Sequence, residues 1–295
     1  MSTVKKRTAV AGKLADAAIT CLMLGVIVVC LYPLVFVFSM SISDPLAAAR
    51  MEVWLWPKGF SLQSYKLVTD NPDLWTAYAN TIFYTAVGTA FNVVMTILLA
   101  YPLSRRGFVI RVPLTLFIVF TMLFKGGTIP TFILMNRIGL YDTRWILILL
   151  GAVGVWYVII ARTFFESIPD TLIESAKLDG ASDMGILWRI VTPLSMPIMA
   201  VLILFYAVEH WNSYFSALIY LPSKELQPLQ LYLVKVLVEN TQSMADSIMM
   251  SEEKSLAIMQ VKYAIIIVST LPILCVYPFL QKYFVKGVMI GAIKG

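Results

Sequence analysis

The fold is decided by the stretch Glu174-Ser175-Ala176-Lys177-Leu178-Asp179-Gly180-Ala181, which Ile190-Val191-Thr192-Pro193 follows further along the chain. It lies between two long apolar runs. Ser167 can cap a helix that holds Pro169 in its first turn and stops at the glycine. The sequence therefore predicts a short helix that begins near Ser167 and ends at Gly180.

A second short helix is predicted after the glycine turn. It begins near Ser182 and ends before Pro193, and Thr192 can cap the helix that comes next. The resulting unit of helix, glycine turn and helix is too polar for lipid and more compact than a simple connection needs to be. We interpret it as a surface on which another protein docks.

An amphipathic helix pair lying on the membrane surface is the alternative interpretation of this unit. Membrane-surface helices are typically rich in Lys and Arg. Residues 166–189 instead carry more acids than bases: Glu166, Asp170, Glu174, Asp179 and Asp183 against Lys177 and Arg189. Anionic lipid would repel such a surface, which favours docking on a protein.

The same residues resemble those of a known family. The pattern Glu-Ala-Ala, three residues, Gly, nine residues, Ile-x-Leu-Pro is typical of the membrane subunits of binding-protein-dependent ABC importers. The chain is similar to it at these positions: Glu174, Ala176, Gly180, Ile190 and Pro193. Two positions depart from it, since Ser175 replaces the first alanine and Thr192 replaces the leucine before proline.

The resemblance covers nearly the whole chain and is closest to maltose-type subunits of sugar importers, among them importers of alginate-type polysaccharides and oligosaccharides. It implies an all-α integral membrane protein with the type I ABC importer permease fold, six transmembrane helices and a cytoplasmic coupling helix pair. The residues implied to couple to the ATPase are Glu174, Ser175, Ala176, Asp179, Gly180, Ala181, Ile190 and Pro193.

The resemblance also implies partners. These are a homologous second permease subunit, two cytoplasmic ABC ATPase subunits and an extracytoplasmic solute-binding protein. The glycine-rich end of the chain is similar to tails that reach between the two ATPases, which implies contacts from Gly291, Lys294 and Gly295. A frayed basic terminus held near anionic lipid is the alternative for these residues.

The composition is that of an integral membrane protein, since 59% of the 295 residues are hydrophobic and 14% are charged. Cys21, Cys30 and Cys275 lie in apolar runs without metal-type spacing, and the single histidine, His210, cannot form a metal cluster. The sequence has no Gly-x-x-x-x-Gly-Lys-Ser/Thr phosphate-binding loop. We therefore expect no enzyme activity, metal or cofactor in this chain, and ATP-Mg on the partner ATPase subunits.

Six spans are predicted within a single permease domain that covers residues 1–295. They lie at about 17–40, 78–103, 112–124 or longer, 145–161, 194–208 and 263–281, with a cytoplasmic coupling loop at 162–193 and an outer loop at 209–262. The basic start before the first run is also typical of a secretion signal. The uncharged run is far longer than the roughly 7–15 residues of a signal's apolar region, which favours a span.

Basic residues set the predicted orientation, because cytoplasmic loops are enriched in Lys and Arg. The chain start, the Arg105-Arg106 loop and the chain end carry the excess of Lys and Arg behind the formal charge of +6, and the coupling loop between the fourth and fifth predicted spans lies on the same side. The sequence therefore predicts a multi-pass protein of the bacterial cytoplasmic (inner) membrane with both termini in the cytoplasm. Its surroundings are the lipid bilayer, and no nucleic-acid partner is expected.

Four residues on the predicted outer side are candidates for the substrate path: Lys125, Trp211, Asn212 and Tyr214. Aromatic faces suit the C–H surfaces of sugars, and polar side chains suit their hydroxyls. An aromatic belt explains the Trp and Tyr equally well, and snorkelling is the alternative for Lys125, as it is the default for Glu209 and His210. If Lys125 lies in the path, it favours an acidic oligosaccharide.

The main alternative function is an ion-coupled secondary transporter or channel subunit. Such a protein would carry ionisable groups in mid-membrane, and the second, fourth and sixth predicted spans have none between their ends. A membrane-embedded enzyme would need clustered His, Asp, Glu or Cys, which the spans lack. The sequence favours a transport subunit driven by a separate ATPase.

Overall fold

The computed structural model describes residues 2–246, 256 and 259–275, and every regular element within them is helical. The helices are α1 Ser2–Ile42, α2 Pro45–Ala49, α3 Gln63–Thr69, α4 Pro72–Ser104, α5 Arg111–Leu123, α6 Thr128–Arg137, α7 Trp145–Leu149, α8 Val155–Glu166, α9 Asp170–Leu178, α10 Asp183–Ile186, α11 Thr192–Leu194, α12 Met196–Trp211, α13 Phe215–Tyr220, α14 Leu229–Asp246 and α15 Met259–Cys275. A π-helical turn covers Leu187–Val191, and a 3₁₀ turn covers Lys224–Leu226.

Two helical segments of the described chain are long and apolar enough to cross a membrane, namely Ala15–Ile42 in α1 and the whole of α4. Two bent helix pairs pass the same test when each is taken together. They are α5 with α6, bent by 112°, and Asp183–Leu194 with α12, bent by 85°. Length and composition thus give two to four spans, and the six spans of the sequence analysis stay a prediction.

The described residues form two compact units. One comprises the described residues of Met1–Asn71 and Val236–Thr270, and the other those of Pro72–Lys235 and Leu271–Gly295. In the first, Met40 and Val53 are buried in a small core against which Tyr263 packs. The Gln260 amide donates to the carbonyl oxygen of Met40 at 2.5 Å and to that of Ser43 at 2.7 Å, which fixes the end of α1.

The second unit is built around α4, which packs against α8 and α12. Buried apolar side chains from all three helices, including Ile97, Phe165 and Leu202, form one core. Small polar residues of α4 are buried as well, and two of them bridge to the neighbouring helices. Interhelical hydrogen bonds of this kind hold helices together where apolar packing alone gives no preference over lipid.

The structure interrupts the fourth predicted span, 145–161, because α7 ends at Leu149 and α8 begins at Val155. Gly151 and Gly154 lie in the break, where their low helix propensity favours an irregular backbone. The Asn92 side chain donates to the Gly151 carbonyl at 3.0 Å, and the Gly154 N–H donates to the Tyr206 hydroxyl at 3.0 Å. In a continuous helix, the Gly151 carbonyl and the Gly154 N–H would each have bonded within the helix, and these two side-chain bonds replace those backbone bonds.

Other boundaries differ less. Helix α5, in the third predicted span, ends at Leu123, and the chain turns through Gly127 at φ +86°. The fifth is bent at Ser195, just before α12 begins. Helices α13 and α14 occupy part of the predicted outer loop, 209–262, and the last residues of the sixth predicted span, 276–281, lie outside the described residues.

Candidate functional site: the coupling unit

The predicted helix pair is present, but its first helix begins later than expected. Helix α9 starts at Asp170, directly after Pro169, and Ser167 belongs to the end of α8, where its hydroxyl donates to the Phe164 carbonyl at 2.7 Å. The predicted Ser167 cap is therefore wrong, because the preceding helix uses that residue. Asp170 places a carboxylate in the first turn of α9, where the helix dipole favours a negative charge.

A Schellman turn ends α9 at the predicted glycine. Gly180 has φ +78°, its N–H donates to the Lys177 carbonyl at 3.0 Å, and the Ala181 N–H donates to the Ala176 carbonyl at 2.9 Å. Nothing lies within 4 Å of the position that a Cβ at Gly180 would take. The backbone conformation, rather than a close neighbour, therefore requires glycine here.

The second helix begins beside Ser182 as predicted, and Ser182 also caps it, since its hydroxyl oxygen accepts from the Gly185 N–H at 3.2 Å. The helical path then continues through the π-helical turn to Leu194 without a new cap. Thr192 has helical angles, φ −61° and ψ −48°, so its predicted capping role is wrong. An exposed ion pair between Lys177 and Asp183, with N and O 3.2 Å apart, links the two helices across the turn.

The unit has a buried side and an exposed side. Ile173, Ala176 and Ile186 are buried in the core of the second unit. Ile190 is half-buried. The remaining predicted coupling residues lie at the surface: Glu174, Ser175, Asp179, Gly180, Ala181 and Pro193. The pair is thus held by its apolar side, and its polar side remains accessible to a partner.

Leu178 is a surface residue that the sequence analysis missed. Its side chain is 89% exposed and directly precedes Asp179 and the glycine turn. A large apolar side chain at the tip of an acidic surface is suited to bury itself in a partner's pocket. The signal in the sequence was its place between two polar positions, where no helix face of this chain could cover it.

Arg105 lies directly after α4, where the end of that helix meets the coupling unit. Its guanidinium donates to the Phe165 carbonyl at 2.6 Å and lies 3.7 Å from an Asp170 carboxylate oxygen. Burial lowers the pKa of Arg105 from its usual value, and Asp170 opposes that shift. Arg105 and Asp170 also line a cavity of about 860 Å³ between the end of α4 and the coupling unit.

The candidate path residues lie on two elements. Lys125 is exposed in the break between α5 and α6. Trp211 ends α12 and is only 8% exposed, whereas Asn212 and Tyr214 follow it at the surface. Trp211, Asn212 and Tyr214 therefore follow one another at the end of α12, while Trp211 is mostly covered by its own chain.

His210 does not snorkel, contrary to the default given above. It is 5% exposed, its Nε2 lies 3.2 Å from the Asn92 amide nitrogen, and its ring packs on Gly88. A Cβ built on Gly88 would lie 2.5 Å from the imidazole. The sequence signal that was overlooked is Gly88 itself, since glycine inside a long apolar helix often marks a close helix approach.

Comparison with known proteins decides the family. Residues 85–290 match the family described as the binding-protein-dependent transport system inner membrane component. The chain belongs to this family. The resemblance noted in the coupling stretch is thereby confirmed, and this permease is a membrane subunit of a transport system.

Curated relatives and one solved structure share almost the full length of the permease. The polygalacturonan/rhamnogalacturonan transport system permease protein YtcP of Bacillus subtilis is 38% identical over 96% of this chain and 99% of the relative. Protein LplC of the same organism is 39% identical over 97% and 96%. A bacterial ABC transporter involved in the import of the acidic polysaccharide alginate superposes with a TM-score of 0.83 at 35% identity, covering 92% of this chain and 98% of that one.

The proposed tail contacts of the permease, from Gly291, Lys294 and Gly295, lie outside the described residues. The coupling and path roles of the other candidate residues stay predictions. Helix α9, the glycine turn and α10 are consecutive, and the buried residues of the two helices share one core.

Proposed function

We propose that this permease is the membrane-spanning subunit of an ATP-driven importer of oligosaccharides with acidic sugars, which an extracytoplasmic solute-binding protein delivers. The observation that carries the proposal is the exposed helix, Schellman turn and helix between α8 and α12 in a chain of this family. The names of two relatives support the substrate class, since polygalacturonan and alginate are both polymers of carboxylated sugars.

In this proposal the chain has six spans, pairs with a homologous permease subunit and docks two cytoplasmic ATPases that bind ATP-Mg. Closure of the ATPases displaces the coupling unit, and the displacement reaches the membrane through α8 and α12, which flank the unit in the chain. The path between the two permease subunits then opens outward as the binding protein releases its sugar. The permease forms and breaks no covalent bond in this cycle.

Lys125 supports the acidic substrate. It is an exposed cation at a glycine-flanked break, on the side predicted to be outside. A carboxylate about 4 Å from an ammonium gains about 4 kcal/mol at an effective dielectric constant of about 20, before the cost of desolvation. A neutral sugar gains far less, so Lys125 would discriminate between the two.

We expect Lys125→Gln to lower uptake of an acidic oligosaccharide roughly tenfold, which corresponds to about 1.4 kcal/mol left after desolvation. The measurement is uptake into liposomes that contain the whole transporter, with an oligogalacturonide compared with a neutral oligosaccharide that it also carries. Arg137→Gln is the matched control, because Arg137 is an exposed cation at the other end of α6. Unchanged uptake of the acidic sugar, or an equal loss in both variants, contradicts a role in the path.

The coupling unit is expected to be cytoplasmic. With the three native cysteines replaced by alanine, a cysteine at Ser182 should react with an impermeant thiol reagent only after the cells are opened. Ser182 is exposed, so orientation rather than burial decides the result. A cysteine at the exposed Gln63, on the predicted outer side, should react in intact cells. Labelling of Ser182→Cys in intact cells refutes both the orientation and the coupling role.

A further inference from the structure

We infer that Arg105 is a positioning residue that joins the last turn of α4 to the coupling unit, so that α4 moves with the docked helices. This inference rests on the proposed function and goes beyond it. The connection of the unit to α8 and α12 follows from the order of the chain. The connection to α4 does not, because α4 ends at Ser104, far from Asp170 in sequence, and the two are joined only through space.

The strongest contact of Arg105 is with the end of α8. Its Nη2 donates to the Phe165 carbonyl at 2.6 Å, an oxygen that also accepts from the Ile168 N–H at 3.3 Å. Carbonyls in the last turn of a helix have no intrahelical partner and carry the negative end of the helix dipole. A partly buried guanidinium is therefore well placed there, and its side chain is only 17% exposed.

The same guanidinium reaches two further elements. Its Nη1 lies 3.7 Å from an Asp170 carboxylate oxygen in the first turn of α9, and its Nε donates to the Ser104 hydroxyl at 3.0 Å. The guanidinium carbon, Cζ, lies 5.3 Å from the centre of the Tyr101 ring, and Tyr101 belongs to the last turn of α4. The planar, forked shape of Arg allows these contacts at once, and a lysine could make only one or two of them.

A second group of charged residues lies at the end of α8, next to the connection between α8 and α9. Arg162 pairs with Glu166 at 2.9 Å and donates to the Thr115 hydroxyl at 3.3 Å, and Arg111 lies 3.8 Å from the same Glu166 oxygen. These contacts tie the start of α5 to the end of α8. The loop between α4 and α5 is thus held on both sides, and Arg105 is its only tie to α9 among the ion pairs of the described residues.

Apolar packing alone would not fix this geometry. Tyr101, Phe165 and Ile173 belong to one core, so α4 and the coupling unit stay in contact without the arginine. Apolar burial is not directional, whereas a forked donor with three acceptors fixes distance and angle. Arg105→Ala should therefore leave the fold and the docking of ATPases in place and loosen the transmission between them.

The test compares Arg105→Ala with Arg106→Ala in the complete transporter. Both remove one positive charge from the same loop, but Arg106 is exposed and has no ion pair in the part of the chain that the structure describes. We expect Arg105→Ala to lower the oligogalacturonide taken up per ATP hydrolysed about tenfold, as for loss of a charged hydrogen bond. Co-purification of the ATPases, and the binding-protein concentration that gives half-maximal uptake, should not change.

Hydrogen exchange gives a readout that does not depend on transport. Amides of Asp170–Leu178 should exchange about tenfold faster in Arg105→Ala and at the wild-type rate in Arg106→Ala. Wild-type exchange and coupling in Arg105→Ala, or equal changes in both variants, overturn the inference. If Arg105→Ala is not recovered from membranes, Arg105→Lys is measured instead. Wild-type hydrogen exchange of Asp170–Leu178 in Arg105→Lys also overturns the inference. A wild-type transporter that takes up no sugar would contradict the proposed function alone, since exchange still tests Arg105.

Discussion

Gly180→Val is expected to leave ATP hydrolysis in place while sugar uptake falls at least about tenfold. Gly180 adopts φ +78°, a conformation in which a β-branched residue is strongly disfavoured. Strain of this kind costs about 1–3 kcal/mol, which corresponds to roughly 5- to 150-fold in the population of the native turn. Without the turn, α9 and α10 lose their fixed angle, and the movement of the ATPases no longer reaches the spans in full.

The measurement is the ratio of uptake to ATP hydrolysis in liposomes, with membrane insertion checked separately. Gly180→Asn is the matched control, because asparagine tolerates positive φ and no atom lies within 4 Å of the new Cβ. Its ratio should remain close to that of the wild type. A wild-type ratio in Gly180→Val would contradict a role of the turn in coupling. Equal losses in Gly180→Val and Gly180→Asn would show that side-chain bulk, not backbone conformation, is the cause.

Gly88→Ala in α4 is expected to destabilise the protein more than Gly25→Ala in α1 does. The new methyl group would lie 2.5 Å from the His210 ring, so the ring or helix α12 has to move. Overpacking of a close contact typically costs about 1–3 kcal/mol. The movement also strains the contact between His210 and Asn92, now 3.2 Å long. The thermal unfolding temperature of the purified protein should fall by several degrees.

Two comparisons make this measurement specific. Gly25→Ala in α1 is the control, because nothing lies within 4 Å of its Cβ position, and its unfolding temperature should not fall. His210→Ala removes the ring that the methyl group meets, so the double variant Gly88→Ala, His210→Ala should be less destabilised than the sum of the single changes. Simple additivity would contradict the proposed contact.

Local chemistry explains why part of the coupling unit was predictable. Gly180 and Ser182 act through their own backbone and the next few residues, so a turn and a cap at these positions can be deduced from neighbours alone. Ser167 and Thr192 have equally suitable side chains and do not cap. A competing helix decides in each case: Ser167 is the C-cap of α8, and the helical path runs from the π-helical turn directly into α11 at Thr192.

The contacts between helices were not predictable in the same way. His210 meets Asn92 across 118 positions of sequence, and Arg105 meets Phe165 across 60. A single sequence shows that His210, Asn92 and Arg105 are polar, but packing selects their partners. The exposed Leu178 is a related case, since its exposure depends on which side of α9 packs against the core.

The break between α7 and α8 has a consequence for the order of synthesis. Gly151 is satisfied by Asn92, which the ribosome makes 59 residues earlier, whereas Gly154 is satisfied by Tyr206, made 52 residues later. The first bond is available as soon as the break emerges, and the second has to wait for α12. A nascent chain stopped before Tyr206 therefore lacks the partner that the Gly154 N–H has in the complete chain.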